Sequence, residues 1–160
     1  MKIKSNKKEI LDSLQIAQCF IPATSTLPLL SNILFEAEGD TLNFSATDMD
    51  MSVKIKCRVS KVEEPGRTTI PRKIVSLIKE FTDDEIKIES DKNDNIKLQC
   101  KKSSYRIPGL PAEDFPLLQA EDKKLESITM PQKQLKEILK NISYAALKDT
   151  SKRNLNGVFF

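Results

Sequence analysis

Lysine and arginine side chains recur at helical spacing in two segments of the chain, and rows of cations can contact the phosphates of a polyanion. One row is Lys133, Lys136 and Lys140, spaced i, i+3 and i+7. The other is Arg72, Lys73 and Lys79. Any single one of these side chains is more simply explained by an ordinary solvated helix face. The residues alone therefore leave both interpretations open.

The other reactive side chains do not favour a catalytic or metal site. The chain has no His, which removes most general acid–base and triad schemes. Asp48 and Asp50 stand at i and i+2 and could share a strand face as metal ligands. Two carboxylates without a third ligand are more often a turn at a strand end. We therefore expect neither a metal nor another cofactor.

The placement of charge is more informative than its total. The net charge is +3, too small to indicate a polyanion partner by itself. Residues 1–120 hold 18 basic and 18 acidic side chains, whereas residues 121–160 hold 8 and 5. The positive excess therefore lies in the last quarter of the chain.

Cysteine usage and hydropathy predict a reduced, cytoplasmic protein. The three cysteines, at positions 19, 57 and 100, are scattered and form no Cys-x-x-Cys pair. No apolar run reaches the roughly 18 residues of a transmembrane helix. The first residues alternate in polarity, unlike a signal peptide.

Three similar segments open with a short alternating run that leads into a helical pattern. "KKEIL" at 7–11 nearly matches "LKEIL" at 135–139, and "TTIPRK" at 68–73 resembles "ITMPQK" at 128–133. The openings begin near residues 1, 68 and 128. A spacing of about 60 residues indicates a repeated structural unit.

Each opening leads into a predicted amphipathic helix. The apolar stripes are Ile10, Leu14, Ala17 and Ile21; Ile74, Val75, Ile78 and Phe81; and Leu135, Ile138, Leu139, Ile142 and Ala146. A stripe on one face indicates a helix that covers a sheet. Pro71 and Pro131 stand where the first turns of the second and third helices are expected.

Alternating runs after the first two helices predict strands. They are residues 32–38, 41–47 and 52–60, then 85–90, 95–100 and 104–107. Alternation of apolar and polar residues with period two implies a sheet with one buried and one solvent-exposed face, as in antiparallel sheets. The sequence thus predicts an α+β protein with duplicated β-α-β-β-β units. Because residues 155–160 match 30–35, a strand of a third unit is expected to begin there.

Four stretches resemble the beta subunit of bacterial DNA polymerase III, the sliding-clamp family. They are "TLPLLSNILFEAEGDTLNFSATDMDMSVKIKCRV" (26–59), "TTIPRKIVSLIKEF" (68–81), "YRIPGLPAEDFP" (105–116) and "KRNLNGVFF" (152–160). The resemblance implies the DNA-clamp fold, with helices on one face of antiparallel sheets. Family members have three such domains. The resemblance therefore implies a complete clamp domain 1 at residues 1–117, a linker at 118–127 and an incomplete start of domain 2 at 128–160.

In that family a ring encircles duplex DNA, helices line its hole, and the clamp confers processivity on the polymerase without catalysis of its own. The resemblance thus implies sequence-independent contacts with double-stranded DNA. The residues that it suggests are Arg72, Lys73, Lys79, Lys133, Lys136, Lys140, Lys148, Lys152 and Arg153. The first helix is more weakly basic, with Lys7 and Lys8 near its start followed by Asp12 and Gln15. Because all three helices are biased in the same direction, the DNA-facing interpretation is favoured. Thr24 and Ser25 stand where relatives can carry a basic residue, so a strong contact from that loop is doubtful.

The resemblance also implies surfaces for protein partners. The strand around Lys102, Tyr105 and Ile107 corresponds to the edge where domain 1 meets the next subunit of a homodimeric ring. An exposed edge invites pairing, although core packing explains one of the two apolar side chains equally well. Leu155 corresponds to the pocket that binds the DNA polymerase III alpha subunit and the clamp loader in full-length relatives. With only this residue of the lining present, we expect poor binding of such peptides.

Two other functions stay open on the residues alone. One is a stand-alone α+β interaction module that binds proteins through its exposed sheet edge. The other, more remote, is a metal-dependent enzyme that uses Asp48 and Asp50. Retention on closed circular DNA, compared with linear DNA, separates encirclement from the interaction module.

Overall fold

The computed structural model describes residues 1–22, 24–101, 103–116, 128–146, 155 and 157–159. The chain divides into two units, Met1–Ala120 (unit 1) and Glu121–Phe160 (unit 2). All strands of the described residues belong to unit 1, and unit 2 contributes one α-helix.

Unit 1 contains the β-α-β-β-β arrangement twice, which confirms the predicted α+β fold. The first copy is β1 (Lys2–Asn6), α1 (Lys7–Gln18), β2 (Asn32–Glu38), β3 (Thr41–Thr47) and β4 (Ser52–Arg58). The second is β6 (Gly66–Pro71), α2 (Ile74–Glu80), β7 (Glu85–Ser90), β8 (Asn95–Cys100) and β9 (Ser103–Pro108). A short strand, β5 (Lys61–Glu64), connects them, and α3 of unit 2 spans Gln132–Ile142.

The strands form two antiparallel sheets. Sheet A has the order β5-β1-β7-β8-β9, and sheet B has the order β4-β3-β2-β6. Along β1, Ile3 and Ser5 are buried while Lys2 and Lys4 lie on the opposite face. Each sheet thus has an inner face toward the core and an outer face that carries most of its charged side chains.

The apolar stripes of α1 and α2 are buried, as predicted. Side chains with no solvent exposure include Ile10, Leu14 and Ala17 of α1 and Ile74 and Ile78 of α2. They share one hydrophobic cluster with the inner faces of both sheets. Full burial of one such aliphatic side chain stabilises the fold by roughly 2 kcal/mol, so the two helices and both sheets depend on one core.

A backbone crossing at Gly109 joins the two sheets. The Gly109 N–H donates to the carbonyl oxygen of Asp94 at 2.9 Å, and Leu110 exchanges backbone hydrogen bonds with Thr69 of β6 at 3.2 and 3.4 Å. The Thr69 hydroxyl donates to the Leu110 carbonyl at 2.8 Å and accepts from the buried Asn32 amide at 2.9 Å. The segment that leaves β9 of sheet A is therefore bonded directly to β6 of sheet B.

Strand β5 is held by ion pairs and was not predicted. The Glu63 carboxylate lies 2.7 Å from the Lys4 ammonium and 3.3 Å from that of Lys2, which also contacts Glu89 at 3.1 Å. The hydrogen bond with Lys4, supported by Lys2, lowers the pKa of Glu63 to about 2. A four-residue run with one inward apolar side chain gives little sequence signal for a strand. The strand is stabilised instead by its pairing with β1.

The start of α2 differs from the prediction. Pro71 is the last residue of β6, paired with Asn32, and the helix begins at Ile74. Because proline is tolerated at a strand end as well as in a first helical turn, its position did not decide between them.

Unit 2 departs further from the predicted third repeat. Residues 128–131 and 157–159 form no strand. No described side chain of α3 is buried, and Ile138 and Ile142 of its apolar stripe are 41% and 39% exposed. The described residues of unit 2 contain no strand, so the expectation that this helix covers a sheet stays a prediction.

Replacing Gly109 by alanine should destabilise unit 1. An added Cβ would lie 2.5 Å from the Asp94 carbonyl oxygen and would also clash with that of Thr69, and relief of such overpacking costs about 1–3 kcal/mol. Gly157→Ala is the matched control, because its Cβ meets no atom within 4 Å. Urea unfolding measures both, and an unchanged midpoint for Gly109→Ala would contradict the tight crossing.

Replacing Glu63 by glutamine should lower the melting temperature at pH 7. Since the folded pKa of Glu63, about 2, lies below its ordinary value of 4.5, its stabilisation is present above pH 4.5 and is lost as the pH falls toward 2. The difference between variant and parent should shrink over that window. Glu64→Gln is the control, because Glu64 is exposed and forms no ion pair with the described residues. Equal effects of both variants at all pH values would rule out the assigned ion pairs.

Candidate nucleic-acid interface

Helix α2 presents the basic face that the sequence predicts. The exposed residues around it are Arg72, Lys73, Ser76 and Lys79, with Glu80 as its one acidic residue. Within the described residues, none of the three cations forms an ion pair. The first turn contains no acid, and Lys73 at the N-cap position makes no side-chain capping bond. Cations at this end oppose the helix dipole, so they do not stabilise the helix.

Helix α1 contributes little net charge to the same surface. Lys8 and Gln15 are exposed, but Glu9 and Asp12 are exposed beside them. The first helix is thus weakly basic at most, as its sequence indicated.

Lys7 has a structural role that the sequence did not reveal. Its ammonium donates hydrogen bonds to the carbonyl oxygens of Lys79, at 3.0 Å, and of Phe81, at the C-terminal end of α2. A cation at a helix C-terminus satisfies free carbonyl groups and complements the helix dipole. The start of α1 is thereby tied to the end of α2, which fixes the direction of the basic face. No local sequence signal links residues 72 positions apart.

Helix α3 has a basic face and an apolar face on opposite sides. Lys133, Lys136 and Lys140 are all exposed and lie on the face opposite the apolar stripe, with Glu137 as the one acidic residue. Lys148, Lys152 and Arg153, predicted for the loop after this helix, lie outside the described residues.

The loop after α1 offers hydroxyl and amide groups instead of cations. Thr24 and Ser25 are exposed, and the Ser25 hydroxyl accepts the backbone N–H of Leu27 at 3.0 Å. Residues 19–28 contain no charged side chain. The structure therefore gives no support for a strong electrostatic contact from this loop.

Strand β9 is an edge of sheet A and carries the predicted partner residues. Tyr105 is 41% exposed, whereas Ile107 is buried in the core. The Tyr105 ring packs beside Phe81, with centroids 5.8 Å apart. Phe81 thus joins this edge, although its place in the α2 stripe suggested a core role alone. Lys102 lies outside the described residues.

The remaining predicted residues show no convergent site. Leu155 is 52% exposed. The Asp48 carboxylate accepts the backbone N–H groups of Asp50 at 3.1 Å and Met51 at 2.7 Å, so it closes the turn between β3 and β4. No group of three His, Cys, Asp or Glu side chains suited to a metal occurs in the described part of the chain.

The cysteines differ in environment. Cys57 and Cys100 are buried and Cys19 is exposed, and none forms a disulfide among the described residues. Burial raises the pKa of the Cys57 thiol, which keeps it protonated and unreactive.

No described helix is long and apolar enough to span a membrane.

Known proteins resemble this chain over nearly its whole length. A family model described as DNA polymerase III beta subunit, N-terminal domain, matches residues 1–119. The beta sliding clamp of Chlamydia pneumoniae is 30% identical over 159 residues, which cover 99% of this chain and 43% of the relative. The chain thus spans less than half the length of the curated relatives that it matches.

Solved structures show the same likeness. The DNA polymerase sliding clamp from Caulobacter crescentus superposes with a TM-score of 0.90 at 29% identity, covering 98% of this chain and 43% of that one. The Helicobacter pylori beta clamp bound to a DNA ligase peptide superposes with a TM-score of 0.87 at 25% identity, covering 96% and 42%.

Proposed function

This chain belongs to the family of DNA polymerase III beta subunits, and from that membership we propose that it is part of a DNA sliding clamp. In this proposal a ring of such chains encircles duplex DNA and confers processivity on the replicative polymerase, with no catalytic residue of its own. The chain spans about 43% of the length of its curated relatives, so the activity of a whole clamp is part of the proposal.

The observation that supports the proposal is the basic solvent face of the helices. Arg72, Lys73 and Lys79 on unit 1, and Lys133, Lys136 and Lys140 on unit 2, are exposed on the side away from buried or apolar residues. Such cations attract phosphates without reading bases. Lys148, Lys152 and Arg153 are proposed to extend this surface.

The proposed grip is topological. A closed ring needs no tight contact to stay on DNA, so each lysine–phosphate contact can be weak and exchange quickly. Weak, salt-sensitive contacts centre the duplex and permit sliding, whereas a tight site would hold the ring in one place.

Assembly and partner binding are assigned to other surfaces. We propose that the β9 edge, with Lys102, Tyr105 and Ile107, meets the next subunit of a homodimeric ring, Ile107 contributing backbone groups because its side chain is buried. Leu155 is proposed as one wall of a pocket for the polymerase III alpha subunit and the clamp loader.

The proposed domain division is a clamp domain at 1–117, a linker at 118–127 and the start of a second domain at 128–160. The protein is proposed to be cytoplasmic.

A second candidate function is a protein-interaction module. It is favoured by one observation, the exposed β9 edge with Tyr105 and Phe81 in contact beside it. An edge strand of this kind pairs with a strand of another protein, and such a module has no need for basic helix faces.

Reversing the charge of α3 should weaken DNA binding. The triple variant Lys133→Glu, Lys136→Glu, Lys140→Glu is expected to reduce the affinity of the 160-residue chain for duplex DNA about tenfold or more at low salt, because three phosphate contacts become repulsive. Fluorescence anisotropy with a labelled duplex, titrated over salt concentration, measures the affinity and its salt dependence.

The matched control carries the same charge change on other surfaces of unit 1. Lys56→Glu, Arg58→Glu and Lys92→Glu alter three exposed cations on β4 and on the turn between β7 and β8. This control should bind nearly as well as the parent. If both triple variants lose affinity equally, the helix faces are not the DNA-binding surface and the interaction module becomes the better account.

A further inference from the structure

A row of three lysines crosses the outer face of sheet A. Lys4 of β1 is directly opposite Lys61 of β5 on one side and directly opposite Lys87 of β7 on the other. Neighbouring strands lie about 4.8 Å apart, and like charges directly opposite each other destabilise a sheet. Beyond Lys87 the row continues with Gln99 of β8.

The adjacent row on the same face shows the usual arrangement. There Lys2 is directly opposite Glu89, which in turn is directly opposite Lys97. Signs alternate, and Lys2 lies 3.1 Å from Glu89. One sheet face therefore carries a self-neutralising row beside a row of cations.

The lysine row has too few counterions of its own. Glu63 contacts Lys4 at 2.7 Å but is shared with Lys2 at 3.3 Å. Within the described residues, neither Lys61 nor Lys87 has a carboxylate oxygen within 4.0 Å. Lys87 is also half-buried, so bulk water screens its charge less than that of a freely exposed lysine.

An open recess lies against this row. Its volume is about 300 Å³, and its lining is Lys4, Glu85, Ile86, Lys87, Gln99 and Lys101. Lys101 contacts the Asp83 carboxylate, which raises the pKa of Lys101. Glu85 is the one acid of the lining and forms no ion pair in the described residues. Of the three lining lysines, Lys4 contacts Glu63 and Lys101 contacts Asp83, so Lys87 is the lining cation without an ion pair among the described residues.

We propose that this recess binds a chain of linked phosphoryl groups, such as inorganic polyphosphate or the triphosphate of a nucleotide. Each phosphoryl group carries negative charge and several acceptor oxygens, and lysine binds phosphate as a mobile point charge. Several linked groups neutralise neighbouring lysines at once, which a single carboxylate does not. The Gln99 amide adds a donor. This site lies on the sheet face opposite the helices and does not depend on the proposed clamp function.

The test uses tripolyphosphate as the probe, with isothermal titration calorimetry on the whole chain at low salt. Binding to the parent should be measurable, and Lys87→Met should weaken it about fivefold, the effect of one lost charge-assisted contact. Lys97→Met, in the alternating row, is the matched control and should bind within twofold of the parent. Lys101→Met, at another lysine of the lining, is a second variant in case Lys87→Met fails to fold.

Further arms separate the sources and the alternatives. If a nucleoside triphosphate binds with the same affinity as tripolyphosphate, the phosphate chain alone is recognised. If one of the two binds more tightly, that one is the preferred ligand. The proposal is overturned if no binding is detected, if Lys87→Met and Lys97→Met weaken binding equally, or if a glutamate oligomer of equal charge binds as tightly. In the absence of a probe, Lys87→Met should leave the melting temperature at low salt unchanged or raise it, because the substitution removes the repulsion between Lys87 and Lys4.

Discussion

The close approach of Gly109 to the backbone of β6 is the constraint on which unit 1 depends. Sheet A ends at β9 and sheet B ends at β6, and the crossing bonds Leu110 to Thr69 so that the two sheets share one core. The added Cβ of any other residue would collide with the carbonyl oxygens of Thr69 and Asp94. Because α2 follows β6 directly, the same crossing also sets where that helix packs.

The helix faces proposed to meet DNA consist of the side chains that this core leaves exposed. With Ile74, Val75 and Ile78 buried, the side chains of α2 that face solvent are Ser76, Lys79 and Glu80, and Arg72 and Lys73 are exposed just before the helix. Lys7 then fixes the end of α2 through its carbonyl groups. The basic surface proposed to meet DNA is thus a consequence of burial on the opposite side, and it needs no dedicated binding pocket. Such a surface fits the proposed clamp, which would hold DNA while still sliding along it.

Much of the fold could be predicted because hydrophobic period and turn chemistry are local. The predicted strands at 32–38, 41–47, 85–90 and 95–100 coincide with β2, β3, β7 and β8. The missed features depend on long-range contacts. Strand β5 forms through ion pairs with β1, Lys7 reaches residues more than 70 positions away, and Pro71 fits a strand end as well as a helix start. The stripe of α3 has the period of a packed helix, but period does not say whether a partner is present. The surface cations of the candidate site were visible in the sequence, whereas Phe81 beside Tyr105 was not, because contact across a sheet edge has no local signature.

The most direct test of the central claim is retention on DNA of different topology. These 160 residues would be continued by the remainder of the Caulobacter crescentus clamp, loaded onto nicked circular duplex and washed with high salt. Retention would be compared before and after the circle is cut to a linear molecule. Encirclement predicts that the protein stays on the closed circle at salt concentrations that screen phosphate contacts, and leaves through the ends once the DNA is linear. Equal loss from circular and linear DNA would contradict the account.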